Sequence, residues 1–398
     1  MTQLILVDNA SVWQDLRPLT FTKPVSELRC GIWTNTERWA HLLPQTAISY
    51  WTQAYLQPKF GPPNFSEASS FWLVASHVIA TPQLAERLSN LTKGQHLADE
   101  QGQFVAAHLA SGEALDYLEQ GVLPISSSAV IVPSLMSIRR PYDLFLLNNK
   151  ALELDFELIT QNRTSAKVSD TNRVLGNRLF VEEGAWVECA TLNTTTGPIY
   201  IGKQAEVMEG AMVRGGLALC DFAALKMGAK IYGPTTVGPH CKVGGEVGNT
   251  IFMGFSNKGH DGYLGNSVIG EWCNLGADTN SSNLKNNYAN VKLYNYTSQK
   301  QEDSEQQFCG LIMGDHSKVG INTMFNTGTV VGVGCNVFDA GFPPTFVPDF
   351  SWGGASGFQG FRLDKMMELA ERVMSRRHLV LNEVDKSILN EVYRITRP

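Results

Sequence analysis

Charge is scarce in this chain. Asp, Glu, Lys and Arg make up only 18% of its 398 residues, and the formal net charge is −6. A net-acidic chain does not hold nucleic acid mainly by neutralising phosphates, so nucleic acid is not an expected partner. No run of 18 consecutive apolar residues occurs, so no membrane span is expected either. The seven cysteines, at 30, 189, 220, 241, 273, 309 and 335, form no CxxC pair and are odd in number. A disulfide framework or zinc knuckle is therefore not expected, and scattered reduced thiols fit a cytoplasmic protein. The N-terminus MTQLILVDNA has no basic n-region. Its apolar run, Leu4 to Val7, reads as a first strand rather than a signal peptide.

The hydrophobic content is 43%, too high for a disordered chain, and the length suits two or more domains. Residues 1 to about 150 mix short apolar runs suited to buried strands (LILV at 4–7, FWLVAS at 71–76) with helical segments at 34–43 and 112–120. KFGPPNFSEASS at 59–70 reads as a loop. This part is α/β. Residues 151–165 read as a helix and a polar linker, after which helix signals vanish until about 361 and glycine rises.

The texture beyond the linker has a period. Ile201, Val207, Val213, Leu219, Leu225, Ile231, Val237 and Val243 are aliphatic and each lies six residues after the last. Ile269 and Leu275 repeat it, as do Val319, Phe325, Val331 and Val337. Period six predicts a parallel β-solenoid in which each unit forms one flat side and points one aliphatic residue inward. The Gly or Asn that often follows the aliphatic residue suits a tight corner, where positive φ is cheap. Residues 249–264 shift the register, and 281–310 form a polar insert. FPPTFVPDFSWGG at 342–354 reads as an extended arm pinned by proline, and 362–395 as one or two amphipathic helices. The expected domains are 1–165, 166–341 and 342–398.

Chemistry concentrates in KGHDGYLGNSVIGEWCNLGADTNSSNL at 258–284. His260, in a glycine-flanked loop, has the residue type of a general base. The pattern GHxxYLG followed by IGxxxNxGAxTxxxN resembles the acetyltransferase half of the bacterial bifunctional N-acetylglucosamine-1-phosphate uridylyltransferase/glucosamine-1-phosphate acetyltransferases, whose fold is a left-handed hexapeptide β-helix. The resemblance implies that His260 takes the proton from the amine of an amino-sugar 1-phosphate as it attacks acetyl-CoA. An N–H at the Ala277 corner would face the oxyanion, and Asn283 would orient His260 or the sugar. Tyr263 and Asn274 would hold the sugar, with Lys230, Lys258 and Lys292 as phosphate cations. It also implies a homotrimer. The match departs at Leu284, where the family has Tyr, and at Gly248 and Asn249, where it has paired lysines.

Leu16-Arg17-Pro18-Leu19-Thr20 and Lys23-Pro24 are similar to the RLxPLT…KP segment of sugar-nucleotide pyrophosphorylases, a Rossmann-like family in which the Arg and Lys grip the nucleotide. The preceding loop VDNASVWQD carries Asp8 and Asn9 but none of the family's glycines. Asn148 in LLNNKALEL resembles the family's Asn that helps hold Mg2+. The whole arrangement resembles the divergent GlmU-like group of these enzymes. It implies a nucleotidyltransferase-like α/β domain and a β-helix acyltransferase, acting on a sugar 1-phosphate, UTP or dTTP, and acetyl-CoA in sugar-nucleotide biosynthesis (UDP-N-acetylglucosamine chemistry). Nucleotidyl transfer alone with a scaffolding β-helix, or a non-catalytic sugar-nucleotide or CoA-binding module, are the other readings.

Overall fold

A computed structural model describes residues 2–124 and 128–397. They form two compact units. The first is Met1–Leu16, Thr22–Leu28 and Trp33–Arg139; the second is Arg17–Phe21, Arg29–Ile32 and Arg140–Pro398.

The first unit is a six-stranded mixed sheet between helices. Its strands are β1 (Thr2–Val7), β2 (Ile48–Trp51), β3 (Ser70–Ala75), β4 (Gln95–Ala98), β5 (Phe104–Ala110) and β6 (Ser128–Ile131), in the order β2-β1-β3-β5-β4-β6. β1 runs parallel to both β2 and β3, while β5 is antiparallel to β3. Both faces of the sheet are covered, which is why LILV is apolar at every position. Leu4 and Leu6 pack with Trp39, Leu84 and Leu88. Ile5 packs on the other face with Phe71, Leu73 and Ala114. Trp39 belongs to α2 (Asn35–Leu42), which follows the short α1 (Ala10–Asp15). After the one-turn α3 (Gln57–Phe60), Leu84 and Leu88 come from α4 (Pro82–Ser89) and Ala114 from α5 (Ser111–Gln120).

The second unit opens with α6 (Pro141–Thr160), which starts ten residues before the expected helix. Pro141 takes its first position, and the Asp143 carboxylate accepts from Arg140 N–H (2.8 Å). α6 belongs by its contacts with the solenoid, not with the α/β layer where the sequence places it. The solenoid has three parallel sheets. The first carries the inward column Leu192, Val213, Ile231, Val247, Leu264, Ser281 and Phe325. The second carries Ile201, Leu219, Val237, Phe252, Ile269, Met313, Val331 and Val347. The third carries Val207, Leu225, Val243, Lys258, Leu275, Val319 and Val337. Period six is thus the step from one face to the next. These columns merge into one continuous apolar core.

Three expectations need correction. First, the glycines after the inward residues seldom serve positive φ. A Cβ on Gly238 would run into the Met253 and Phe252 carbonyls, and one on Gly276 into the backbone of Gly320 and Ile321. They are glycine because the next coil passes too close for a side chain. Positive φ falls further along the corner, at Phe222, His240, Phe255, Trp272 and His316. Second, the shift at 249–264 comes from short corners: Val243 to Val247 takes four residues and Val247 to Phe252 five. Third, 342–354 is no free arm. Phe346–Val347 and Ser351–Gly354 continue the coils, and Gly357–Gly360 adds a hairpin strand before α7 (Leu363–Ser375) and α8 (Glu383–Thr396). The insert carries its own hairpin, Lys292–Asn295 against Lys300–Asp303. Among the described residues no helix is long and apolar enough to cross a membrane.

Candidate active sites

On the third face of the solenoid the outward residues Lys242, Asn257, Asn274, Lys318, Asn336 and Trp352 stand one above the next. Residues Leu369, Val373, Arg376 and Arg377 from α7 and its C-terminal end border this column, and a groove of about 800 Å³ lies between them. His260, Asn274 and Ala277 all line it. His260 is exposed, and its loop is pinned from beneath. The Lys258 ammonium donates to the carbonyls of His260 and Asp261, both at 2.9 Å. Lys258 is fully buried because it takes the inward register position beside Val243. Burial pulls its pKa down to about 8. It was expected at the substrate phosphate; the structure turns it away from solvent and uses it to hold the histidine loop.

The groove is electropositive. Lys226, Lys242, Lys318, Arg376 and Arg377 line it, and none of its lining residues is acidic. Burial and the neighbouring charges of Arg377 and Lys226 lower the pKa of Lys242. Like charges held this close are stabilised by a polyanion. No local motif announces them, because the five cations come from three solenoid coils and from the end of α7. Phe255 and Trp272 form part of the wall, stacked 4.2 Å apart in a corner ladder with Phe222 and His240.

The other expected acetyl-transfer residues lie on the first face, where Lys230, Glu246 and Tyr263 are in register. The Tyr263 hydroxyl and the Asn283 amide crowd the same space over Gly265, the Asn283 amide donates to Asn266 Oδ1 (2.8 Å), and Tyr232 donates to Glu246 (2.7 Å). Lys230, with Arg214, Tyr232 and Glu246, borders a second groove of about 840 Å³. Lys292 stands apart on the insert hairpin, in register with Asp303. One chain therefore divides these residues into two sets, one with His260 and one with Tyr263. The Tyr232 ring lies across Gly248, 2.8 Å from where a Cβ would be. Gly248→Ala is expected to cost about 1–3 kcal/mol by overpacking. That would be read as a lowered Tm, and an unchanged Tm would show that Tyr232 is not held there.

In the first unit a pocket of about 400 Å³ opens at the C-terminal ends of β1, β2 and β3, where ligands of α/β sheets commonly bind. Asp8 and Asn9 line it, together with Trp51, His77, Gln103, Tyr117 and Arg139, which the sequence did not single out. Asn9 caps α1, its Oδ1 accepting from the Ser11 and Val12 N–H groups (3.0 and 3.2 Å). Asp8 accepts from the Thr52 hydroxyl (2.6 Å) and Val25 N–H (3.1 Å), and burial raises its pKa to about 6. Burial, aided by Arg139, lowers that of His77 to about 4, and its Nδ1 has no hydrogen-bond partner among the described residues.

The remaining expected nucleotide and metal residues do not line this pocket. Lys23 is buried. Arg17 lies in the second unit, over the rings of Phe21 (5.6 Å) and Tyr296 (5.5 Å). Asn148 is fully buried, and both ends of its amide are engaged: Oδ1 accepts from Gly31 N–H (2.6 Å) and Nδ2 donates to the Pro234 carbonyl (2.7 Å). These bonds anchor α6. Among the described residues no cluster of three or more His, Cys, Asp or Glu could hold a metal.

Residues 4–164 match the family model described as Sugar nucleotidyl transferase. The Bifunctional protein GlmU of Methanocaldococcus jannaschii is 39% identical over 90 residues, which is 23% of this chain and 21% of that protein. The Bifunctional protein GlmU of Methanococcus aeolicus is 33% identical over 87 residues, 22% of this chain and 20% of that protein. Over these segments the chain is similar to sugar nucleotidyl transferases and to GlmU. It spans about a fifth of the length of these curated relatives. Among solved structures, the polySia-specific acetyltransferase NeuO aligns over 53% of this chain and 99% of its own, with 14% identity and a TM-score of 0.28. The UDP-N-acetylglucosamine acyltransferase of Arabidopsis aligns over 58% and 91%, with 13% identity and a TM-score of 0.25.

Proposed function

We propose that this chain is a two-site transferase of sugar-nucleotide biosynthesis in the cytoplasm. Its solenoid would move an acetyl group from acetyl-CoA to an amino-sugar 1-phosphate, and its α/β unit would transfer a nucleotidyl group from UTP or dTTP to a sugar 1-phosphate. The observation that carries this reading is one groove lined by His260, Asn274, Ala277 and five lysine and arginine residues with no acid among them. The cations suit the phosphates of acetyl-CoA. His260 would remove the proton from the attacking amine, and an N–H at the Ala277 corner would meet the oxyanion as the thioester carbonyl becomes tetrahedral. The match of residues 4–164 to sugar nucleotidyl transferases supports the α/β half, and the partial likeness to bifunctional GlmU proteins supports the pairing of two activities.

The division of site residues between two faces supports a homotrimer, in which the His260 groove of one copy meets the Tyr263 face of another. In the α/β unit, Asp8 and Asn9 would border the nucleotide, and the basic Arg139 would meet its phosphates. Asp8 is already engaged by Thr52 and Val25, and Asn148 by Gly31 and Pro234, so these residues do not fit a protein-held Mg2+.

The test is one incubation with glucosamine 1-phosphate, acetyl-CoA and either UTP or dTTP, with products read by mass spectrometry. Acetylated sugar phosphate and nucleotide sugar are expected, each separately visible. Absence of any acetylated product would overturn the assignment of the solenoid groove, and absence of any nucleotide sugar that of the α/β pocket.

A further inference from the structure

Two lysines in the solenoid unit are held in the same way but face different surroundings. Lys258 donates to the carbonyls of His260 and Asp261. Lys318 donates to the carbonyls of Trp272 and His316. Burial pulls both side chains down to a pKa of about 8. Their register positions differ. Lys258 stands inward beside Val243, and Lys318 stands outward beside Asn274. Lys318 accordingly lines the groove that holds His260 and Ala277, and Lys258 does not.

Hydrogen counting gives the outward lysine a chemical consequence. An ammonium has three N–H groups and a neutral amine two. Two backbone carbonyls already orient two hydrogens of Lys318, so loss of the third proton leaves a lone pair in the remaining tetrahedral position while both anchors persist. A fixed amine in a groove shaped for a thioester has its orientation prepaid. Lysines whose charged form is disfavoured by burial are the ones that become nucleophiles.

We propose that Lys318 is a self-acylation site, a surface of the groove that takes the acyl group from bound acyl-CoA and so shuts the groove. The step rests on the reading of this groove as the acyl-CoA site. The Lys318 Nζ lone pair attacks the thioester carbonyl carbon, the carbon–sulfur bond breaks, and the CoA thiolate leaves with the sulfur electron pair. That thiolate takes up the proton released by nitrogen. The products are an Nζ-acyl amide and the CoA thiol. The amide nitrogen keeps one hydrogen, so one of the two carbonyls loses its donor, and the added acyl group occupies the groove.

The experiment uses the full chain incubated with acetyl-CoA, with peptide mass spectrometry followed over time and CoA affinity measured by calorimetry. Lys318 is expected to be acetylated at least tenfold faster than Lys258 and than the exposed Lys93. An excess of CoA should suppress the modification, and CoA affinity should fall as Lys318 fills. Lys318→Arg, which keeps donors for both carbonyls, should remove that one acetylation, and the CoA affinity of this variant should no longer fall with time of incubation. Equal rates at Lys318 and Lys258, or acetylation indifferent to excess CoA, would overturn the proposal. CoA that binds while Lys318 stays unmodified would overturn it alone. CoA that does not bind at all would overturn the acyl-CoA reading beneath it as well.

Discussion

Replacing His260 by Ala is expected to lower kcat for acetyl transfer by about 10²–10⁴, the usual contribution of a positioned general base. KM for acetyl-CoA should stay within a few-fold, because Lys226, Lys242, Arg376 and Arg377 remain in the groove. The fold should not suffer. His260 is exposed, and its loop is held by its backbone carbonyl on Lys258, which alanine retains. Tm is therefore expected to be unchanged. Turnover equal to that of the unaltered protein would remove His260 from the chemistry. A fall in turnover matched by a fall in Tm would assign it to the loop instead.

The solenoid was legible because its physics is local and repeated: each flat side needs one inward aliphatic residue, and Ile201 to Val243 supply them without a gap. What the period could not show was a polar residue in an inward position. Lys258 follows Val243 in the third-face column, yet in sequence it looks like a surface charge next to a catalytic loop. The reason for the glycines was also hidden. Close passage of the next coil over Gly238 and Gly276 is a contact between residues distant in sequence, so a turn explanation fitted the letters equally well.

Site residues divided along the same line. His260, Asn274 and Ala277 sit within two coils, and one motif contains them. The cations of the groove come from 226, 242, 318, 376 and 377, and only the stacking of the coils and the folding of α7 beside the third face gather them. In the α/β unit, Asp8 and Asn9 were found from the strand that precedes them. His77, Gln103 and Arg139 reach the same pocket from the ends of other elements, with no spacing to betray them. Arg17 is the opposite case. Its neighbours in sequence matched a phosphate-gripping segment, while its neighbours in space are Phe21 and Tyr296.

Asn148→Ala should lower the stability of the solenoid unit by about 2–5 kcal/mol, with or without magnesium. The estimate follows from its partners. Truncation leaves Gly31 N–H and the Pro234 carbonyl without their bonds at 2.6 and 2.7 Å, in a site with no solvent exposure. Each buried orphan costs about 1–3 kcal/mol, and the vacated volume adds to it. The Thr236 hydroxyl, 3.1 Å from Oδ1, loses a neighbour too. Asn148→Asp separates the two possible roles. A carboxylate is the better ligand for a hard cation, so a metal role would make Asp tolerated and Tm responsive to magnesium. An anchoring role makes it harmful. Aspartate keeps the acceptor for Gly31 but has no N–H for Pro234, and it buries a charge against that carbonyl. Denaturant titration of both variants decides the matter: the anchor predicts that Asp is no more stable than Ala, and an Asp variant as stable as the unaltered protein would refute it.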